Sequence, residues 1–271
     1  MGISGDLAAL SERGVVLVGC GQMGGALLEG WLAGGLDPAA LRVIDPAPRP
    51  DLVARGITVG GPAPADPAVM VIAVKPQMMA EVLGRLAPGP DTLVLSVAAG
   101  VRIAAYERAF PGRPVVRAMP NTPAALGQGI TAILGNALAG PALLDLAEAL
   151  LAAVGRVVRL DDEAQMDAVT ALSGSGPAYV FHLIEAMAAA GEAEGLPAPL
   201  ALELARATVA GAGALAMAGD PDPAELRRNV TSPGGTTAAG LAVLMDPVAG
   251  LAPLIRRTVA AAAERSRELG R

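Results

Sequence analysis

Aromatic side chains are almost missing from this chain, which has one Trp, two Tyr and two Phe in 271 residues. Its 53% hydrophobic fraction must therefore come mainly from Ala, Val, Leu, Ile and Met, a composition suited to closely packed helices and to strands buried on both faces. Cys20 is the single cysteine and His182 the single histidine. An intramolecular disulfide is thus excluded and a cytosolic setting is expected, and no metal cluster can be assembled from one Cys and one His. A basic stripe is also missing. With a net charge of −6 and a pI of about 4.9, no nucleic-acid partner is expected. The uncharged run from Ala118 to Leu144 carries Pro120, Pro123 and Pro141 plus several glycines, too many breakers for a bilayer helix, so no membrane is expected either. Met1 to Arg13 lacks the basic start and apolar centre of a signal peptide and reads as a short leader, helical at most.

The length suits two moderate domains. In the first, Val15-Val16-Leu17-Val18 reads as a strand running into Gly19-Cys20-Gly21-Gln22-Met23-Gly24, followed by a helix over Ala26 to Ala33. Strand, G-x-G-x-x-G, helix is a dinucleotide-binding order: one glycine for the tight turn, one for approach to a pyrophosphate, one for close helix–strand packing. Leu41 to Ile44 is a second strand ending in Asp45, at the interval where such folds place a ribose-binding carboxylate; a turn residue before Pro46 is the other reading. Val69 to Val74 is a strand ending in Lys75-Pro76, where Lys75 either faces a ligand or simply starts an exposed loop. Leu93 to Ser96 precedes the small residues Val97-Ala98-Ala99-Gly100, and Val115 to Met119 precedes Pro120-Asn121-Thr122-Pro123. Ile130 to Leu134 and Arg156 to Leu160 are further strands around a helix carrying Leu143, Leu146 and Leu150, in a sheet of about eight strands.

Strand signals stop at Asp161. The expected division is a dinucleotide-binding domain over 1–161 and a helical domain over 162–271. Leu172 to Pro177 reads as a flexible turn with Pro177 in the first turn of a helix that ends at Gly195-Leu196-Pro197. A second helix runs from about Pro199 to Met217, where Gly211 and Gly213 permit close approach of another helix. Helices this apolar need partners on all sides, which points to a homodimer. Asn229-Val230-Thr231-Ser232-Pro233-Gly234-Gly235-Thr236-Thr237 then opens into another apolar helix. This hydroxyl-rich turn is either a helix cap or a holder for a small anion, since converging N–H groups and a positive helix end favour negative charge.

Six stretches together resemble one family. Gly19 to Gly24, Ala73-Val74-Lys75-Pro76, Ala98 to Val101, Met119 to Pro123, Leu172 to Tyr179 and Ser232 to Thr237 occur in the order seen in pyrroline-5-carboxylate reductases. The resemblance covers nearly the whole chain, and the last two stretches are the most specific. It implies an α/β fold with a Rossmann-like, mostly parallel sheet, an all-helical C-terminal dimerisation domain, and an active site where the two meet. It further implies reduction of 1-pyrroline-5-carboxylate to L-proline with NADPH or NADH. Gly19, Cys20, Gly21, Gln22, Met23, Gly24, Val74, Lys75, Pro76, Ala99 and Asn229 would contact the dinucleotide, with Asp45 at its ribose. Glu163, Gly235, Thr236 and Thr237 would lie at the substrate. Thr237 would sit beside the imine nitrogen, and Ser232 with the backbone near Gly235 would hold the carboxylate. Asp45 departs from the Ser or Asn of NADPH-preferring members and favours NADH, unless Arg49 compensates.

A protonated cyclic imine needs placement more than a strong side-chain acid, so a site without His or Cys suits the reaction. His182, Trp31 and the ten methionines read as structural, and Cys20 as a small residue in a tight loop. Two alternatives remain at this level: another reductase on the same architecture, or a non-catalytic dinucleotide-binding regulator. A β-hydroxyacid dehydrogenase would need a proton-transferring lysine in the second domain, and no lysine follows Lys75.

Overall fold

The computed structural model describes residue 10, residues 12–219 and residues 222–270. Most of the expected leader, residues 1–9 and 11, and the positions 220, 221 and 271 lie outside the described residues. The chain forms two compact units, one of residues 1–174 with 263–271, the other of residues 175–262. This division falls beyond the expected 161/162 border. Residues 162–174 stay with the first unit because Met166 and Ala171 are fully buried and Ser266 donates to Asp167 at 2.6 Å.

The first unit is built on one eight-stranded sheet, β1 (Val15–Val18), β2 (Leu41–Ile44), β3 (Thr58–Val59), β4 (Val69–Ile72), β5 (Leu93–Ser96), β6 (Val115–Met119), β7 (Gly129–Gly135) and β8 (Gly155–Arg159), in the order β3-β2-β1-β4-β5-β6-β7-β8. Every pairing is parallel except β6 with β7. Thr58–Val59 has no counterpart in the sequence reading, and β4 stops at Ile72, two residues short of the expected Val74.

The apolar runs are continuous because the sheet is covered on both faces. Val15, Leu17, Val69, Val71, Leu93 and Leu95 turn to one side, where α1 (Gln22–Ala33) contributes Leu27, Leu28 and Trp31 and α4 (Pro141–Ala152) contributes Leu146 and Leu150. Val16, Val18, Met70, Ile72 and Val94 turn to the other, against Met79 and Leu83 of α2 (Met79–Leu83) and Ile103 and Tyr106 of α3 (Ile103–Ala109). Trp31 is fully buried and its indole N–H donates to the Leu150 carbonyl at 2.8 Å, tying α1 to α4; truncation to Ala would cost about 3–5 kcal/mol. The unit continues through α5 (Gln165–Val169) and a π-helical turn over Thr170–Gly174. That stretch is therefore wound, where the sequence reads as a flexible turn, and the Thr170 hydroxyl donates to the Met166 carbonyl at 2.8 Å.

The second unit contains α6 (Gly176–Ala193), α7 (Ala198–Met217), α8 (Pro223–Asn229), α9 (Thr236–Leu244) and the first part of α10 (Leu251–Leu269). α6 and α7 pack against each other. Among the described residues, this unit's only buried hydrophobic side chains are Ala188, Ala201 and Ala205. Phe181, Val243 and Val248 are 60%, 73% and 80% exposed. Met187, Met217 and Met245 are exposed too, so the methionines are not uniformly core filler. His182 is likewise not a packed structural residue: its side chain is 82% exposed, with Nδ1 3.1 Å from Glu185.

Candidate active site

The parallel strands bring the carboxyl ends of β1, β2, β4, β5 and β6 to one edge, and the chain order reverses between β1 and β4. Open α/β sheets bind ligands at such a switch point. The G-x-G-x-x-G loop lies there; its packing requires the first and third glycines and leaves the middle one open. Gly19 has φ +89°, and a Cβ on it would fall 2.8 Å from the Ala73 carbonyl oxygen and 2.9 Å from Val74 Cγ1. A Cβ on Gly24 would fall 2.1 Å from the Gly19 carbonyl oxygen, so helix and loop could not approach. A Cβ on Gly21 would meet nothing within 4 Å: that position faces open space, where an approaching ligand would find bare backbone.

α1 begins at Gln22, four residues earlier than the sequence reading, with Gly21 as N-cap, no side-chain cap and no acid in its first turn. The N–H groups of Gly21, Gln22, Met23 and Gly24 have no acceptor among the described residues. Unpaired N–H groups at a helix start make a cradle for a pyrophosphate. These residues fit a nicotinamide dinucleotide in shape and in charge.

Asp45 follows β2 and is tied to this loop. Its Oδ2 accepts from the Cys20 N–H at 2.6 Å and its Oδ1 from the Ala47 N–H at 2.8 Å. It therefore organises its own turn, as one of its two readings expects, and it also reaches the phosphate loop. Burial raises the Cys20 thiol pKa, with Arg49 opposing and Asp45, Glu29 and Asp51 adding to the rise. A buried thiol held protonated is a packing residue, not a nucleophile.

Arg49 is not free. Its Nε and Nη2 donate to Asp51 at 3.1 and 2.6 Å, and its Nη1 donates to Glu29 at 2.7 Å. Arg55 donates to the same two carboxylates. Glu29 is held down at about 2, first by its hydrogen bond to Arg55 and then by Arg49. Asp51 is held at about 2 as well, first by Arg49.

Further along the edge, Lys75 is exposed. It is the N-cap of a short 3-10 turn, Pro76–Met78, three residues beyond the end of β4. Its ammonium group has no partner among the described residues. Val74 packs partly buried against the core, and Ala99 lies half-buried in the turn after β5.

Glu163 lies in the same unit. Its Oε1 accepts from the Ile103 N–H at 2.9 Å and from Arg117 at 2.7 Å. Arg117, on β6, is 4% exposed. A buried guanidinium thus fixes the carboxylate, whose side chain is 30% exposed. Arg117 does not stand out in the sequence, because pairing with a residue 46 positions away leaves no local signal. Asn121 accepts from the Ile130 N–H at 3.0 Å and donates to the Ser173 hydroxyl at 3.3 Å, joining two of the six family-like stretches. Beneath β5, Ser96 and Tyr106 share a short hydroxyl–hydroxyl bond, and burial pushes the Tyr106 phenol up to about 12.

In the helical unit, Asn229 ends α8 and Thr231 closes that helix, its hydroxyl donating to the Arg227 carbonyl at 2.6 Å. The chain turns through Ser232-Pro233-Gly234-Gly235, with Gly234 at φ +71° and the Gly235 N–H donating to the Ser232 carbonyl at 3.1 Å. α9 then starts at Thr236 without a side-chain cap and without an acid in its first turn. The N–H groups of Thr236, Thr237 and Ala238, and the hydroxyls of Ser232, Thr236 and Thr237, have no hydrogen bond among the described residues. A Cβ on Gly235 would fall 2.5 Å from Ser232 Oγ, so glycine lets that hydroxyl fold across the turn. A capping role for the hydroxyls is thereby ruled out in this conformation, and an uncharged set of donors is left exposed.

The family model for pyrroline-5-carboxylate reductase dimerisation matches residues 163–269, and that for coenzyme F420-dependent NADP oxidoreductases matches residues 14–100. The pyrroline-5-carboxylate reductase of Pseudomonas aeruginosa is 43% identical over 270 residues, which cover 96% of this chain and 98% of that protein. That of Synechocystis is 47% identical over 204 residues, 75% of each chain. Among solved structures, a pyrroline-5-carboxylate reductase from Coxiella burnetii superposes with a TM-score of 0.87 at 32% identity, covering 96% of this chain and 99% of the other. The Plasmodium falciparum pyrroline carboxylate reductase with NADP bound gives 0.83 at 27% identity, over 96% and 99% of the two chains. Relatives this similar across the full length of both chains establish that the protein belongs to the pyrroline-5-carboxylate reductase family.

Proposed function

We infer that the protein reduces 1-pyrroline-5-carboxylate to L-proline, the last step of proline synthesis, using a nicotinamide dinucleotide. The observation that carries this reading within the family is the donor set of the Ser232–Thr237 turn: unpartnered N–H groups and hydroxyls with no charged side chain among them. Such a set suits a carboxylate beside a cationic iminium. Added cation would compete for the carboxylate, and added anion would repel it.

When bound, the dihydronicotinamide supplies the hydride that reduces the imine carbon. The protein supplies placement. Backbone N–H groups of Gly21 to Gly24 hold the pyrophosphate, with Gly19 and Cys20 shaping the loop, and Asp45 accepts hydrogen bonds from the ribose diol. Val74, Lys75, Pro76, Ala99 and Asn229 would be further contacts to the dinucleotide. Ser232, Gly235 and Thr236 hold the substrate carboxylate while the Thr237 hydroxyl orients the ring nitrogen, which is basic enough to arrive protonated. Glu163, fixed by Arg117 and the Ile103 N–H, faces the substrate with its remaining oxygen. Asp45 tilts the choice towards NADH, because a carboxylate accepts from an unmodified ribose and repels a 2′-phosphate.

The assembly is a homodimer formed through the helical unit. A unit whose buried hydrophobic side chains, among the described residues, are three alanines cannot stand alone in water, and a second copy covers its apolar faces. α7 has the length and hydropathy of a membrane span with 11% of its window buried. A Cβ added to Gly211 or Gly213 on it would meet nothing within 4 Å, which leaves room for the close approach of a helix of the second copy.

The test is oxidation of NADH or NADPH by the purified protein with and without pyrroline-5-carboxylate. Turnover is expected only with the imine acid, and its absence with both cofactors would remove the reading. Thr237→Ala should lower kcat/KM by ~100-fold, in the range expected when a substrate-orienting group is removed, with cofactor affinity kept. A dinucleotide-binding regulator would show neither turnover nor a response to that substitution.

A further inference from the structure

The four charged groups beside the phosphate loop, Glu29, Arg49, Asp51 and Arg55, have no part in placing the imine or the nicotinamide. Arg49 follows the β2 loop that carries Asp45, in the region where an arginine would accept the 2′-phosphate of NADPH. All three of its nitrogens are already committed: Nε and Nη2 form a two-point fork with Asp51, and Nη1 goes to Glu29 on α1. Arg55 binds the same two carboxylates, sharing Glu29 Oε1 (2.8 Å) and Asp51 Oδ2 (3.1 Å) with Arg49 and taking Glu29 Oε2 for itself at 2.9 Å. Counting Asp45, the region holds three carboxylates and two guanidinium groups, one negative charge in excess.

We propose that Glu29 and Asp51 are specificity-determining residues that withhold Arg49 from a 2′-phosphate and thereby disfavour NADPH. The proposal rests on the dinucleotide-binding reading above and adds a mechanism separate from Asp45. Asp45 repels the phosphate directly. Glu29 and Asp51 act on Arg49, the cation of the cluster nearest in sequence to Asp45, because a guanidinium forked onto a carboxylate offers its remaining N–H groups away from that fork. A 2′-phosphate would have to displace Asp51 from Arg49 while lying near Asp45 and Glu29, a like-charge arrangement. Glu29 lies on α1, the helix that the phosphate loop opens into, and it binds Arg49, which ties the cluster to that loop. NADH, with a neutral ribose diol, meets none of this opposition.

The experiment is calorimetric titration of the apoprotein with adenosine 2′,5′-bisphosphate and with adenosine 5′-monophosphate, for the parent and for Glu29→Gln/Asp51→Asn, Asp51→Asn alone, and the double variant with Arg49→Ala added. Circular dichroism checks that each is folded. The double variant is expected to bind the bisphosphate roughly tenfold more tightly, the size of one like-charge interaction at a half-exposed site, with the monophosphate changed by less than about twofold. Adding Arg49→Ala should abolish the gain. An unchanged ratio between the two ligands would overturn the proposal, as would a gain that survives loss of Arg49, which would mean that charge removal alone is responsible. If neither nucleotide binds the parent or any variant, the dinucleotide reading itself falls. Binding of the monophosphate with no response to substitution removes only the role of Glu29 and Asp51.

Discussion

Gly21→Ala and Gly24→Ala add the same methyl group three residues apart, and the structure assigns them opposite consequences. At Gly24 the methyl carbon would sit 2.1 Å from the Gly19 carbonyl oxygen, 3.1 Å from its carbon and 3.3 Å from Ala73 Cβ. Two of these three contacts are with backbone, so α1 must move away from β1 or the loop must deform, at about 1–3 kcal/mol of overpacking. For a domain of this size that lowers Tm by about 2–4 °C per kcal/mol. At Gly21 the methyl meets nothing within 4 Å, and φ is −70°, so stability should change by less than about 0.5 kcal/mol. The same methyl stands on the open face of the N–H cradle. Losing one charge-assisted backbone contact costs about 1.5–3 kcal/mol, which is ~10- to 150-fold in dinucleotide Kd. Differential scanning calorimetry and fluorescence titration with NADH separate the two effects. A Gly21→Ala protein with reduced Tm and intact affinity would refute the assignment of that face to the ligand. A Gly24→Ala protein as stable as the parent would refute the close-packing role.

Replacing Asp45 with Ser should raise the ratio of kcat/KM with NADPH to that with NADH, and should also weaken NADH binding, because the shorter side chain cannot hold both the Cys20 and Ala47 N–H groups; an unchanged ratio removes Asp45 from cofactor choice. The Glu29–Arg49–Asp51–Arg55 cluster predicts a pH dependence as well. Glu29 and Asp51 are depressed to about 2 from 4.5 and 3.8. A carboxylate depressed on folding stabilises above its unfolded pKa, and that contribution is lost as pH falls through the folded value. The Tm difference between the parent and Glu29→Gln should therefore be constant above about pH 4.5 and shrink towards pH 2. It should be small and sensitive to salt, because these side chains are nearly half exposed. A difference that grows on acidification would contradict the ion-pair account.

What the sequence makes legible depends on how local the cause is. The strands on either side of the switch point are legible because burial on both faces demands unbroken runs such as Val15 to Val18 and Val69 to Ile72, although the apolar run carries the reading of β4 two residues too far. Thr58–Val59 escapes because two residues on a sheet edge, one of them polar, need no such run. The early start of α1 is hidden by Gly24 and Gly25, which lower helix propensity in sequence, although Gly24 is what packs the helix onto the loop. The Ser232–Thr237 turn is legible because its chemistry lies in consecutive residues. Arg117 with Glu163, and Glu29 with Arg49 and Arg55, are not, because each pairing is made by tertiary packing across 20 to 46 positions.

On the proposed ribose-binding role of Asp45, cofactor choice and loop geometry are hard to separate in this protein. Its carboxylate fixes the Cys20 N–H at 2.6 Å, so Cys20 is pointed into the protein and the next four N–H groups, Gly21 to Gly24, are the ones left for a ligand. Each carboxylate oxygen keeps a second lone pair, and those are what a ribose diol can use. Loop shape and the proposed selectivity thus draw on one side chain. Glu29, Asp51 and Arg55 form a second layer whose contacts leave the phosphate loop itself untouched. If the proposed role of Glu29 and Asp51 holds, selectivity can be altered in that layer without disturbing the loop. A change at Asp45 alters selectivity and loop order together, so its effect on NADH should exceed anything that charge alone would produce.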